Sequence, residues 1–241
     1  MEDRSVPIDR SKHAIYTQSA KKCVQRLLRR YHDEQTSANL WEKIQFQYAD
    51  YLKDEPPLGS LKITASVYDP ILIFAWYVTV PEKPVPDDFQ QDVFECFMGG
   101  FRTLGRIFDL NRKFDNCLAN IAFKSANDIR VKEIRKHPAS FRMGYYDYDK
   151  ANRIVRYSFT QCPNAEFAKR HHLEHVLPVM CNCDHLAMGE IHGTLIREGT
   201  CVTSDCCDYC IVGDRNPLAG NYELIKDENG LLLSRKKKGG V

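Results

Sequence analysis

The sequence predicts an α+β fold: a helical N-terminal half packed on a small antiparallel sheet formed by two C-terminal hairpins. Three observations carry that prediction. Apolar residues recur at helical spacing through the first 136 positions, as in the stripe of Val24, Leu27 and Leu28. Beyond Pro138 the chain turns aromatic and β-branched, with Arg142 to Tyr148 and Arg153 to Thr160 flanking the polar Asp149-Lys150-Ala151-Asn152. A second strand pair, Thr194 to Thr203 and Cys207 to Val212, follows around Ser204-Asp205. Helices, hairpin, helices, hairpin is the order of an α+β domain with an antiparallel sheet.

Each element has its own signal. Ser11 to Tyr31 sets Ala14, Ile15, Ala20, Val24, Leu27 and Leu28 against a solvated face of Lys21, Lys22, Arg26, Arg29 and Arg30. A second helix over Ser37 to Leu52 ends at the turn Glu55-Pro56-Pro57-Leu58-Gly59. Ile71 to Val80 is a ten-residue run, apolar but for Thr79, either a buried strand or a short core helix. A membrane span needs about 20. Pro81, Pro84 and Pro86 make a linker, after which Asp87-Asp88 suits the positive end of a helix reaching Leu104. Asn116 to Lys136 is expected to bury Leu118, Ile121, Ala122, Ile129 and Ile134. Pro163 opens a short helix, and another runs from Pro178 to about Met188. Lys236 to Lys238, with Gly239 and Gly240, read as a frayed tail. The organisation is therefore a helical region 1–136, an α+β region 137–225 integrated with it, and a tail 226–241.

Composition narrows the function. With 34 basic and 32 acidic side chains the net charge is +2, which gives no reason to expect a nucleic-acid partner. Met1 to His13 is charged and lacks an apolar core, so a soluble, cytoplasmic protein with no membrane partner is expected. Ten cysteines are then expected to be reduced, and seven of them crowd between Cys162 and Cys210. Such clustering favours catalysis or metal binding. Cys207-x-x-Cys210 is half of a zinc pattern and Cys181-x-Cys183 is a poor other half, so neither metal nor cofactor is expected. GxGxxG after a strand, GxxxxGK[ST], HExxH and GxSxG are all missing, which removes the usual support for nucleotide binding, zinc proteolysis and serine hydrolysis.

Leu177-Pro178-Val179-Met180-Cys181-Asn182-Cys183-Asp184-His185 is the most informative segment. On one helix Asp184 and His185 share the face of Cys181, and a thiol beside an imidazole ionises near neutral pH. A helix N-terminus at Pro178 favours the thiolate further. In the last strand, alternation sends Cys207, Tyr209 and Ile211 to the core and Asp208 to a cleft or to solvent. Across from it Arg197 either points inward, needing a carboxylate, or lies on a solvated face.

Tyr157 to Val212 resembles the L-2-amino-thiazoline-4-carboxylic acid hydrolase family. Four pieces in order carry the likeness: Tyr157-Ser158-Phe159-Thr160-Gln161-Cys162-Pro163, Leu177 to Cys181 with Asp184, Leu195-Ile196-Arg197-Glu198-Gly199-Thr200, and Cys207-Asp208-Tyr209. Ser204 stands where the family tends to have glycine. The resemblance implies an enzyme that adds water across the C=N carbon of a cyclic amidine and opens the ring to a carbamoyl-cysteine. It makes Cys181 the leading nucleophile, with Cys162 and Cys207 as rivals, and Asp184 and Asp208 the acid-base groups. Arg197 becomes the clamp for the substrate carboxylate with Thr200 beside it, and His185 and His192 are further bases. The expected partner is a small carboxylate-bearing molecule, and the apolar helix faces are compatible with a homo-oligomer. Competing readings are a non-catalytic ligand-binding domain and a metal-held interaction module.

Overall fold

The computed structural model describes residues 16–82 and 86–238. Expectations that touch Ser11, Ala14, Ile15, Pro84, Gly239 and Gly240 fall outside them. The N-terminal half consists of α1 (Gln18–Tyr31), α2 (Glu34–Lys53), α3 (Thr64–Val67), α4 (Asp69–Thr79), α5 (Pro86–Phe97), α6 (Gly100–Leu104) and α7 (Lys113–Glu133). Thr17 caps α1 by accepting from the Ala20 amide, and Asp33 caps α2 by accepting from Thr36. Thr17 also donates through its amide and hydroxyl to the buried Asp69, which ties the start of α1 to α4.

The apolar run Ile71 to Val80 resolves as helix: Ile71 through Trp76 are all buried in α4, against α1 and α2. The helical run Leu61–Thr79 has the length and mean hydropathy (1.2) to cross a membrane, yet 61% of that window is buried inside the fold. Its apolar surface is largely used by the core.

Two expectations for the helices are corrected. In α7, Leu118, Ile121 and Ala122 face outward, while Asn116, Ala119 and Asn127 are buried. The inward face is polar because strand tyrosines satisfy it: the Tyr146 hydroxyl donates to Asn120 and that of Tyr148 to Asn116. The cysteines are not all reduced either. Cys23 and Cys96 form a disulfide that joins α1 to α5 across a Cα–Cα distance of 5.3 Å.

The C-terminal half holds the sheet. β1 (Arg142–Asp149) and β2 (Ile154–Gln161) form the first hairpin. α8 (Pro163–His171), α9 (Leu177–Cys181) and α10 (Cys183–Glu190) follow, then β3 (Gly193–Ile196) and β4 (Cys207–Gly213). All four strands join one antiparallel sheet in the order β1-β2-β4-β3. The α+β expectation holds, with both hairpins in a single sheet. β3 is shorter than expected, because the chain leaves the ladder after Ile196 and residues 197–206 form a loop.

α11 (Pro217–Gly220) leads to β5 (Tyr222–Lys226) and β6 (Leu232–Lys236), a separate hairpin where the sequence reads as tail. This hairpin closes over the end of β3. The Ser234 amide donates to the Arg197 carbonyl at 2.6 Å, and the Arg197 amide donates to Ser234 Oγ at 3.0 Å. Leu231 is wholly buried beside it.

Candidate active site

The sheet register lines up three tyrosines. Tyr146 pairs with Tyr157 and Tyr157 with Tyr209 across β1, β2 and β4. Their rings stack in parallel, with centroids 6.2 Å apart in the first pair and 4.6 Å in the second. Such cross-strand aromatic pairs stiffen the middle of a sheet. Phe159 meets Tyr157 and Tyr209 edge-on, which completes an aromatic floor. α7 packs over β1 on one side of this floor and α10 packs over β3 on the other. Between them the partly accessible Asp184 carboxylate marks a polar recess.

Asp184 is the recess's carboxylate. It sits in the first turn of α10, where the helix end favours negative charge. Its Oδ2 accepts from Arg197 Nη1 at 3.2 Å and from the Tyr209 hydroxyl at 3.0 Å. Arg197 has no exposed surface, and its other amino group, Nη2, donates to the Cys181 carbonyl at 2.9 Å. The guanidinium carbon stands 5.7 Å from the centre of the Tyr209 ring. Burial raises the Asp184 pKa above the ordinary carboxylate value, and the Arg197 charge and the Tyr209 hydrogen bond oppose that rise. Yet 31% of the Asp184 side chain stays accessible. A carboxylate that is both desolvated and reachable lines a recess rather than a packed core.

The thiols around it are in their neutral form. Burial lifts Cys181 to about 11 despite the opposing pull of Arg197, and Cys207 to about 12. Cys162, at the junction of β2 and α8, is raised as well, by burial first. The expected thiolate at Cys181 is therefore not the resting state. Cys181 ends a helix of only five residues, at the negative end of its dipole, and α10 starts two residues later. The expected imidazole is not at hand. His185 turns its Nε2 to the Leu232 carbonyl in β6, 3.1 Å away, and borders a different surface depression with Gln91, Phe94 and Glu190. Burial and Arg197 hold its pKa down to about 3, so the ring is neutral.

Other candidates lie away from the recess. Asp208 points to the opposite face of β4, where its carboxylate accepts from the amides of Glu198 (3.0 Å) and Gly199 (2.6 Å). It fastens the loop 197–206 to the sheet. Gly199 lies close against Ser204, so a side chain there would push the serine aside. Thr200 is buried in the same loop and bonds Thr203, not the recess. His192 is exposed beyond α10, with φ of 58°, and supplies its carbonyl to Asn111. Cys207 and Cys210 project to opposite faces of β4, so the CxxC spacing does not gather ligands. Among the described residues, no group of three or more His, Cys, Asp and Glu side chains is placed to hold a metal ion.

The recess also contains residues not singled out from the sequence. Tyr146 and Tyr157 complete the ladder, and Arg130 of α7 lies over the Phe141 and Phe159 rings at 5.4 and 5.5 Å. The tyrosines were legible as alternate positions on paired strands. Arg130 was not, because a lone arginine on a charged helix carries no local signal. A wide depression of about 910 Å³ lies on the helical half, outside the family match, where Asn39, Glu42, Lys43, Gln45 and Gln47 line it with Phe46.

Fold and recess define an α+β protein with one carboxylate clamped above an aromatic sheet. The family model described as L-2-amino-thiazoline-4-carboxylic acid hydrolase matches residues 90–211, half of the chain. The chain belongs to this family. The match runs from α5 to β4, so it takes in Arg130, Cys162, Cys181, Asp184, Arg197 and Tyr209 together. No curated protein and no solved structure matches the chain.

Proposed function

We propose that this chain hydrolyses the ring of 2-amino-thiazoline-4-carboxylate, or of a closely related cyclic amidine, with Asp184 moving the proton. The family is named for a hydrolase. The observation that carries the assignment is the accessible Asp184 carboxylate held between Arg197 and Tyr209. A general base needs a reachable carboxylate, held in one orientation and with its pKa shifted toward the working pH.

The chemistry balances as follows. Water adds to the amidine carbon and gives one proton to Asp184 while the C=N electron pair moves onto nitrogen, which takes a proton from solvent. The tetrahedral hydroxyl then releases its remaining proton to solvent as the C=O bond re-forms and the ring C–S or C–N bond breaks, and Asp184 passes its proton to the departing atom. Either cleavage yields a carbamoyl-cysteine. Tyr209 and Arg197 both hold Asp184 Oδ2, which fixes the orientation of the carboxylate, and the Arg197 charge opposes the rise in its pKa. Neutral, buried thiols favour water over Cys181 as the attacking group.

The test is ring opening of 2-amino-thiazoline-4-carboxylate by purified protein, with Asp184→Asn and Cys181→Ala alongside. General acid-base catalysis is worth about 10²–10⁴-fold, so Asp184→Asn should lose that much in kcat. Cys181→Ala should keep most turnover; its collapse would move the attack to the thiol. Undiminished turnover in Asp184→Asn would sink the assignment. Binding without turnover in the wild type would favour a ligand-sensing domain.

A further inference from the structure

Arg197 is already committed. Its two amino groups serve Asp184 and the Cys181 carbonyl, both inside the protein, and only its Nε is without a partner, so its charge is already matched by a carboxylate. Arg130 has no such carboxylate. One amino group donates to Asn127 Oδ1 at 3.1 Å, a neutral acceptor, and its cation otherwise rests on the Phe141 and Phe159 rings. Its Nε is buried without a partner, and so is Nδ2 of the almost wholly buried Asn127 beside it. Buried donors left unpaired cost free energy, and a site that leaves two of them adjacent to a cation is built for an acceptor that arrives from outside. Arg130 lies over Phe159, whose ring meets that of Tyr209, the phenol hydrogen-bonded to Asp184, so that acceptor would sit on the same aromatic floor.

Charge points the same way. Arg197 pairs with the Asp184 carboxylate, whereas among the described residues no carboxylate lies within ion-pair distance of Arg130, whose side-chain hydrogen bond goes to the neutral Asn127. We propose that Arg130, steadied by Asn127, is the anchor for the substrate's carboxylate, and that it selects ring compounds bearing one such group. Arg197 is then a positioning residue for Asp184. This assignment rests on the hydrolase reading for its substrate but not for its test.

The experiment compares two probes, 2-amino-thiazoline-4-carboxylate and the same ring without the carboxyl group, by calorimetric binding and by turnover. Wild type should prefer the acid. A charge-assisted contact of this kind corresponds to about 10–100-fold in affinity. Arg130→Gln should reduce the acid-to-ring affinity ratio by that factor, and Arg130→Lys should restore part of it. Asn127→Asp guards against a folding defect: it keeps the contact to Arg130 but occupies the cation with a permanent partner, and should reduce the ratio as well. A ratio unchanged in Arg130→Gln, or a wild type that does not prefer the acid, overturns the assignment. A ratio lost in the variants while the wild type shows no turnover would uphold the anchor and reject the hydrolysis.

Discussion

Removing the Asp184 carboxylate strands a guanidinium that has no contact with solvent. Arg197 has no exposed surface and its Nε is already without a partner. Asp184→Ala would leave it only the Cys181 carbonyl. Breaking a buried ion pair from one side costs about 3–5 kcal/mol. Asp184 keeps 31% of its side chain accessible, so water entering the recess offsets part of this and the lower end, about 3 kcal/mol, is expected. Arg197→Met removes the buried charge and leaves the carboxylate, which the open recess hydrates, so its cost should be about 1–2 kcal/mol. The double variant then has no stranded charge and should recover about 2 kcal/mol relative to the sum of the single changes. Equilibrium unfolding in urea at pH 7, followed by fluorescence of the buried Trp41 and Trp76, measures all three. If Asp184→Ala cost under about 1 kcal/mol and the double variant were additive, Arg197 would not depend on Asp184 for its charge balance. Its burial would then need another explanation.

Two further outcomes follow from neighbouring residues. His185 has a folded pKa of about 3 against an ordinary 6.5, so the unfolded chain binds the extra proton first as pH falls. Its contribution is complete above pH 6.5 and declines toward pH 3, by up to about 5 kcal/mol; His185→Gln should flatten that part of the stability profile, and an NMR titration placing the His185 ring near 6.5 would refute the reasoning. Asp208→Ala deletes two backbone hydrogen bonds from the loop 197–206 and should cost about 2–3 kcal/mol, with faster amide exchange at Glu198 and Gly199. The acid limb of its pH–rate profile should stay where wild type has it, since Asp208 faces away from the recess; a displaced limb would return Asp208 to the chemistry.

Much of the fold was legible because periodicity is a local property. The hairpin around Asp149 to Asn152, the short helix opened by Pro163 and the inward set Cys207, Tyr209 and Ile211 all follow from spacing two or three to four residues apart. The errors have physical reasons. α7 turned its polar face inward because strand tyrosines on β1 satisfy its asparagines, which no pattern within the helix reveals. The C-terminal hairpin was taken for a tail because its role, sealing Arg197, depends on a partner 37 residues away.

By itself the sequence determined the α+β class, the segment that carries the chemistry and the family likeness running from Tyr157 to Val212. Only the tertiary structure decided what each side chain does there. It placed Arg197 in the core on Asp184, sent Asp208, Thr200, His185 and His192 elsewhere, and brought Arg130 of α7 over the Phe159 ring. A charge's protonation state and its partner are set by burial and by groups distant in sequence, and those quantities come into being only when the helices close over the sheet.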